Sequence, residues 1–224
     1  MYKVPAILKI SKKKELAALR EFLKVKYNVL APLHEAGYEA YIVGGAVRDL
    51  YVGRMPKDFD VSTSASVDQI KSVLGVTKTH GKITEKFLVV AFRDEDGDTF
   101  EVSQMRDDTD MLARKTGTPK AGDIYTDSIR RDFTMNAIYW NPWTDEIKDP
   151  CNGIRDIEER VLRTTNDVDY VFGTDHIRII RGMRFTIDYN LTPAFDLIKY
   201  VKTLDFSEPR IDTEIIKMIK KRLI

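Results

Sequence analysis

Asp58 and Asp60 stand two residues apart, downstream of the paired glycines Gly44 and Gly45, in the stretch YIVGGAVRDLYVGRMPKDFDVST over residues 41–63. Two carboxylates at that spacing on a strand leave it from the same face, with α-carbons roughly 6.6 Å apart. They suit a shared metal site, and hard oxygen donors favour Mg²⁺, which completes its shell with water and substrate phosphates. Glycine lets backbone approach a phosphate closely, and the amides that open a helix favour anions. Arg48, at the start of that helix, can pair with a triphosphate oxygen. Taken alone, Asp-x-Asp reads as a solvated edge strand and Gly-Gly as a tight turn that binds nothing. In this order and this close, they point to one chemistry: a nucleoside triphosphate held by its phosphates while carboxylate-gripped metal ions activate a hydroxyl.

Three further groups of residues add to this constellation. Glu101 alternates with Phe100 and Val102. Paired beside the Asp58 strand it supplies a third carboxylate; otherwise it is an outward-facing charge. The run RRDFTMN over residues 130–136 sets Arg131 and Asp132 near Asn136, offering donors and acceptors for a ribose and its phosphates. The plain alternative is a salt bridge at a helix end, but exposed pairs contribute only about 0–1 kcal/mol, a poor reason for such a cluster. Asp175 and Arg178 are three apart and share a helical face, so they can read the edge of a base or simply pair with each other. Arg181 and Arg184 extend that basic segment. His34, His80 and His176 have no metal-ligand spacing and read as structural. Cys151 has no evident histidine partner and no nucleophilic role.

The elements that must position these residues follow from patterning. Residues 39–43, 57–62, 87–92, 99–105 and 136–140 read as strands, and 46–51 and 66–74 as helices, the latter with Ser66 as N-cap. The sequence DEDGD over residues 94–98 is a hairpin signal, and residues 106–126 read as a flexible polar loop. Residues 11–36 read as one or two amphipathic helices interrupted near Pro32. From about residue 152 the pattern turns helical, over 154–160, 168–172, 175–187, 193–204 and 210–224. In the last of these Ile211, Ile215, Met218, Ile219 and Leu223 form an apolar face that wants a partner. The layout is therefore α+β, a mixed sheet domain followed by a helical one.

Bulk composition narrows the setting. With 43% hydrophobic and 32% charged residues the chain has the make-up of a soluble globular protein, and no apolar run approaches a membrane span. The 36 basic and 35 acidic residues nearly balance, so a nucleic-acid partner has to meet a local basic face. The single cysteine excludes a disulfide within the chain and makes a reducing cytoplasm the default.

On these motifs the chain resembles the class II tRNA nucleotidyltransferases, or CCA-adding enzymes, and their relatives the bacterial-type poly(A) polymerases. GGAVRDLYVGRMPKDFDVST keeps both glycines, Arg-Asp, Lys-Asp and Asp-x-Asp in family order, and RRDFTMNAI is close to the family's RRDFTINAM. DPCNGIRDIEERVLRT resembles the segment joining head to neck, GTDHIRIIRGMRF resembles EDPLRILRAIRF, and SEPRIDTEIIK resembles SxERIxxELxK. The resemblance implies a polymerase-β-type nucleotidyltransferase head, with a mixed or antiparallel sheet and flanking helices, over residues 1–150, then an all-helical neck over 151–224. It implies that Asp58 and Asp60 bind two Mg²⁺ ions, with Glu101 as the third catalytic carboxylate. Gly44, Gly45 and Arg48 would hold the triphosphate, and Arg131, Asp132 and Asn136 the ribose and phosphate. Asp175 and Arg178, with Arg181 alongside, would read cytosine and then adenine as a protein template.

The implied activity is addition of CCA, or part of it, to a tRNA 3′ end from CTP and ATP. Poly(A) addition and CC- or A-only addition share the same motifs and stay open. A catalytically idle RNA-binding remnant is the reading from another class, and the clustered carboxylates argue against it. Thr174 stands where the family has Glu and His176 where it has Pro, so this chain departs from the pattern where nucleotides are discriminated. The family's body and tail helices would follow the neck. A homodimer or additional subunit, a naturally minimal enzyme and a fragment are the alternatives for how RNA binding is completed.

Overall fold

Short runs rich in β-branched and aromatic residues form the strands, and amphipathic segments with clear caps form the helices. The computed structural model describes residues 29–77, 87–93, 99–108 and 120–203. Its strands are β1 (Ala40–Val43), β2 (Asp60–Thr63), β3 (Val89–Arg93), β4 (Thr99–Gln104), β5 (Arg106–Asp107), β6 (Lys120–Ala121), β7 (Tyr139–Asn141), β8 (Glu146–Lys148), β9 (Val161–Leu162) and β10 (Thr192–Pro193). Residues 29–35 are helical (α1). The helices that follow are α2 (Gly45–Tyr51), α3 (Val67–Leu74), α4 (Ile124–Ile129), α5 (Gly153–Glu158), α6 (Val168–Thr174), α7 (Ile177–Tyr189) and α8 (Phe195–Val201), with a 3₁₀ turn at Thr134–Asn136.

Among the described residues the main sheet has the order β3–β4–β2–β1–β7–β8. β2 and β4 run parallel and the other neighbours antiparallel, which is the mixed sheet expected of the α+β head. One sheet face is covered by helices: Leu33, Val47, Leu50 and Ile70 pack with Ile42 and Val61 in a core with almost no solvent exposure. A second core lies where the helical part meets the 3₁₀ turn. There Phe133 stacks edge-on against Phe172 and Phe185, with ring centroids 6.3 and 5.7 Å away, and Leu162, Ile179 and Leu197 close the cluster. Among the described residues no helix is long and apolar enough to cross a membrane.

Gly153 welds α5 onto that turn. A Cβ there would lie 2.6 Å from the Thr134 carbonyl carbon, a contact with rigid backbone that cannot yield. Gly153→Ala is therefore expected to destabilise the protein by about 3 kcal/mol, read as a lowered urea midpoint with an unchanged m-value.

Several elements differ from the sequence reading. α1 includes Pro32, whose carbonyl still accepts from the Ala36 amide at 3.0 Å, since proline lacks a donor but keeps its acceptor. The expected loop over 106–126 carries the β5–β6 ribbon and α4 at its ends. Asp123 opens α4 by accepting from the Tyr125 and Thr126 amides. The strand expected over 136–140 is a 3₁₀ turn followed by β7, and the one over 57–62 begins at Asp60. The region after residue 151 is not all helical, since β9 and β10 pair in parallel within it. Residues 11–28, the hairpin tip at 94–98, His80 and the helix over 210–224 lie outside the described residues.

Candidate active site

The pleat of β2 sorts its approach into buried and exposed residues. Phe59 is 3% exposed, whereas Asp58 before it and Asp60 after it face solvent, so the two carboxylates share a side even though Asp58 precedes the strand. In the parallel β2–β4 pair Val61 stands opposite Val102, both buried. One residue back on each strand, Asp60 and Glu101 are therefore neighbours on the opposite face, and both are exposed. Among the described residues no three His, Cys, Asp or Glu side chains are gathered tightly enough to hold a metal ion by themselves.

Gly44 lies close to Asp60. Its φ of 78° and ψ of −138° belong to a region open essentially to glycine. A Cβ there would lie 3.9 Å from Asp60 Oδ2 and 3.8 Å from Arg131 Nη1. The missing side chain thus leaves room between a carboxylate and a guanidinium.

Arg131 is aimed by a residue that sequence reasoning missed. Asp127, on α4, is fully buried. Its Oδ2 accepts from Arg131 Nη2 at 2.8 Å and from the Tyr139 hydroxyl at 2.7 Å, while Oδ1 accepts from Arg130 Nε at 2.7 Å and from the Arg106 amide at 3.3 Å. Burial alone would raise its pKa, but Arg131 and Arg130 outweigh burial and hold the carboxyl well below the usual range. Asp127 stands three and four residues before Arg130 and Arg131, the spacing of helical ion pairs. That signal was in the sequence, but it has meaning only once the segment is known to be helical.

Asp132, Asn136 and Arg48 come together and are buried, at 5%, 5% and 7% exposure. Asn136 Nδ2 donates to Asp132 Oδ1 at 3.0 Å, and Arg48 Nη1 donates to Asn136 Oδ1 at 2.6 Å. Arg48 also bonds Asp49 and lies over the Phe185 and Tyr189 rings. Its guanidinium is thus committed inside the protein. The buried Asp132 Oδ2 lies 2.8 Å from Arg181 Nη2 without the alignment of a hydrogen bond.

The expected shared helical face of Asp175 and Arg178 is not formed, because α7 starts at Ile177 and Asp175 has extended backbone, φ −158° and ψ 103°. Asp175 Oδ1 accepts instead from the Ile177 amide at 3.0 Å. A short polar side chain placed just before a helix satisfies one of its open amides more readily than it pairs along it. Arg178 Nε still comes to 4.0 Å of Asp175 Oδ2. Burial pushes the Arg178 guanidinium below its ordinary value, and the charges of Asp132 and Asp175 push back. The Thr174 side chain lies outside the described residues.

Residues 40–163 match the poly A polymerase head domain. The chain is 34% identical over 176 residues to poly(A) polymerase I of Haemophilus influenzae, covering 74% of this chain and 38% of that protein. It is 35% identical over 181 residues to the CCA-adding enzyme of Staphylococcus aureus, covering 78% and 43%. Among solved structures, the Bacillus stearothermophilus CCA-adding enzyme in complex with CTP matches with a TM-score of 0.65 at 32% identity, over 75% of this chain and 40% of that one. The chain thus spans 38–43% of the length of these relatives. The head-domain match takes in more than half of the chain and the whole stretch from Gly44 to Asn136, and the chain belongs to the poly A polymerase head-domain family.

Proposed function

We propose that the protein is an RNA 3′-end nucleotidyltransferase that adds CCA, or part of it, to tRNA from CTP and ATP, with its own side chains as the template. The observation that carries this reading is the placement of Asp60 beside Glu101, near a glycine whose missing Cβ opens a space to Arg131. Asp58, Asp60 and Glu101 offer hard oxygens to solvent, a donor set that fits Mg²⁺. Two such ions held by Asp58 and Asp60 would activate the RNA 3′-hydroxyl and neutralise the leaving pyrophosphate.

The rest of the work is positioning. The Gly44–Gly45 backbone and Arg131 Nη1 hold the triphosphate, with Arg131 aimed by Asp127. Asp132 Oδ2 accepts from a ribose hydroxyl, and Asn136 fixes the Asp132 carboxylate. Arg48 acts by holding Asn136 and Asp49, to which its Nη1 and Nε donate. Asp175 and Arg178 read the base, with Arg181 beside them, in a helical neck that follows the head. Poly(A) addition is the second reading, favoured by the 34% identity to poly(A) polymerase I, and CC- or A-only addition shares the same motifs. Grip on the RNA beyond the head would come from further protein, a second copy or another subunit, in the cytoplasm.

The test is incorporation by the purified protein with Mg²⁺ and tRNA ending before CCA, after CC, or replaced by generic RNA. CTP alone, ATP alone and both together, with the products sequenced, rank the activities. Asp175→Ala is expected to reduce the CTP/ATP preference by about tenfold, the value of one or two hydrogen bonds, with a smaller effect on triphosphate binding. An unaltered preference would remove Asp175 from the template.

A further inference from the structure

A closed circuit of polar contacts starts and ends on α7 and encircles Phe185. The Tyr189 hydroxyl donates to Asp49 Oδ1 at 2.5 Å, and Arg48 Nε donates to the same oxygen at 2.9 Å. From Arg48 the path runs through Asn136 to Asp132, and Asp132 Oδ2 returns to Arg181. Arg181 lies about two turns before Tyr189 on the same helix. The Tyr189 ring is also flanked by two guanidinium groups, with Arg48 Cζ and Arg54 Cζ each 4.5 Å from its centroid. Arg54 Nη2 in turn donates to the Asp188 carbonyl at 2.8 Å. Burial, reinforced by Asp49 and opposed by Arg48, pushes the phenol up to about 12, so its hydroxyl stays a donor at neutral pH.

This arrangement exceeds what packing needs. An apolar ring would fill the same volume, whereas a tyrosine joins the last turn of α2, the short helix that the glycines open, to the helix that carries Arg178 and Arg181. We propose that Tyr189 is a positioning residue for nucleotide selection: it sets the place of α7, and so of Arg178 and Arg181, relative to the Gly44–Gly45 turn. This rests on the nucleotidyltransferase reading above. Tyr189 itself touches no nucleotide in that scheme; it fixes the distance between the end that grips phosphate and the end that reads the base. Misplacement by about 1 Å between two such ends costs on the order of 100-fold in rate.

Three measurements on wild type, Tyr189→Phe and Tyr189→Ala test it: equilibrium CTP binding, steady-state incorporation of CTP and ATP, and the thermal midpoint. Tyr189→Phe keeps the ring between the arginines and loses only the bond to Asp49. It is expected to keep a midpoint within a few degrees of wild type, to raise KM for CTP about fivefold, and to weaken the CTP/ATP preference. Tyr189→Ala removes the ring as well and is expected to lose about 50-fold or more in kcat/KM. If Tyr189→Ala does not fold, Tyr189→Phe decides alone. A merely structural tyrosine would lower the midpoint and leave KM and preference at wild-type values, which overturns the proposal. A wild type that neither binds CTP nor incorporates it overturns the function reading instead, and the positioning role with it.

Discussion

Replacing Asp60 by asparagine is expected to lower the rate of nucleotide incorporation by 10³-fold or more, on the order of what losing one charged electrostatic contact to the reacting centre costs, while the protein stays folded. The two halves of that expectation have separate causes. Asparagine keeps the size and shape of aspartate but removes the anionic oxygen that a hard divalent ion requires. Stability is spared because Asp60 is exposed at the first position of β2 and stands beside another carboxylate, Glu101, across the parallel register. Asparagine can still accept and donate hydrogen bonds there, and substitutions at exposed positions usually change stability by about 0.5 kcal/mol or less. Single-turnover incorporation of CTP, run beside a thermal melt, separates the two halves. Asp58→Asn should behave alike, since Asp58 faces the same side across the buried Phe59. Incorporation at the wild-type rate in either variant would remove these residues from catalysis.

Asp127→Ala carries the largest expected loss of stability, about 3–5 kcal/mol, because it strips the central partner from a buried ion-pair cluster and leaves cations uncompensated. Arg130 and Arg131 are only 15% and 16% exposed at the side chain, and Asp127 is not exposed at all, so solvent cannot replace the lost carboxylate. A urea titration reads the effect directly. The same site predicts a pH dependence. The folded-state carboxyl is held below its ordinary range, so the stability it contributes is fully present above the unfolded value near 4. That stability is lost as the pH falls through the folded value, because the unfolded chain then binds the extra proton. Wild type should therefore lose stability on acidification below about pH 4, and Asp127→Asn should show a shallower acid slope from a lower starting point. An acid slope identical in the two proteins would mean that Asp127 is not held ionised by its arginines.

The two experiments probe different layers of one site. Asp60 lies where a reacting group would meet the protein, and Asp127 lies behind Arg131, on the far side of the guanidinium from Gly44 and Asp60. Loss of the first is expected to remove chemistry from an intact fold, and loss of the second to free Arg131 to swing.

Short-range pattern was enough for much of this. The Gly44–Gly45 turn, the Asp58 and Asp60 pair and the strand–turn–helix around them depend on neighbours a few residues away, through pleat alternation and the steric freedom of glycine. The Ser66 cap of α3 was legible for the same reason, since Ser66 and Gln69 satisfy each other's backbone. What one sequence leaves open is which segments become neighbours. Whether Glu101 stands near Asp60 or far from it follows only from the place of β4 beside β2. Arg48 read as a free cation for phosphate, but its partner Asn136 is 88 residues away, and only packing brings them within 2.6 Å. Asp127 was hidden because helical spacing has meaning only once a helix is known, and the helix sat at the edge of a polar run. Asp175 shows the converse, where the helical spacing lies across a helix start and the carboxylate is shared between the Ile177 amide and Arg178. The sequence by itself therefore determined the chemical types available, paired carboxylates, a glycine turn and a basic helix, because those depend on local geometry. Only the tertiary structure decided which of these charges face solvent and which are spent on one another, because that follows from contacts between segments distant along the chain.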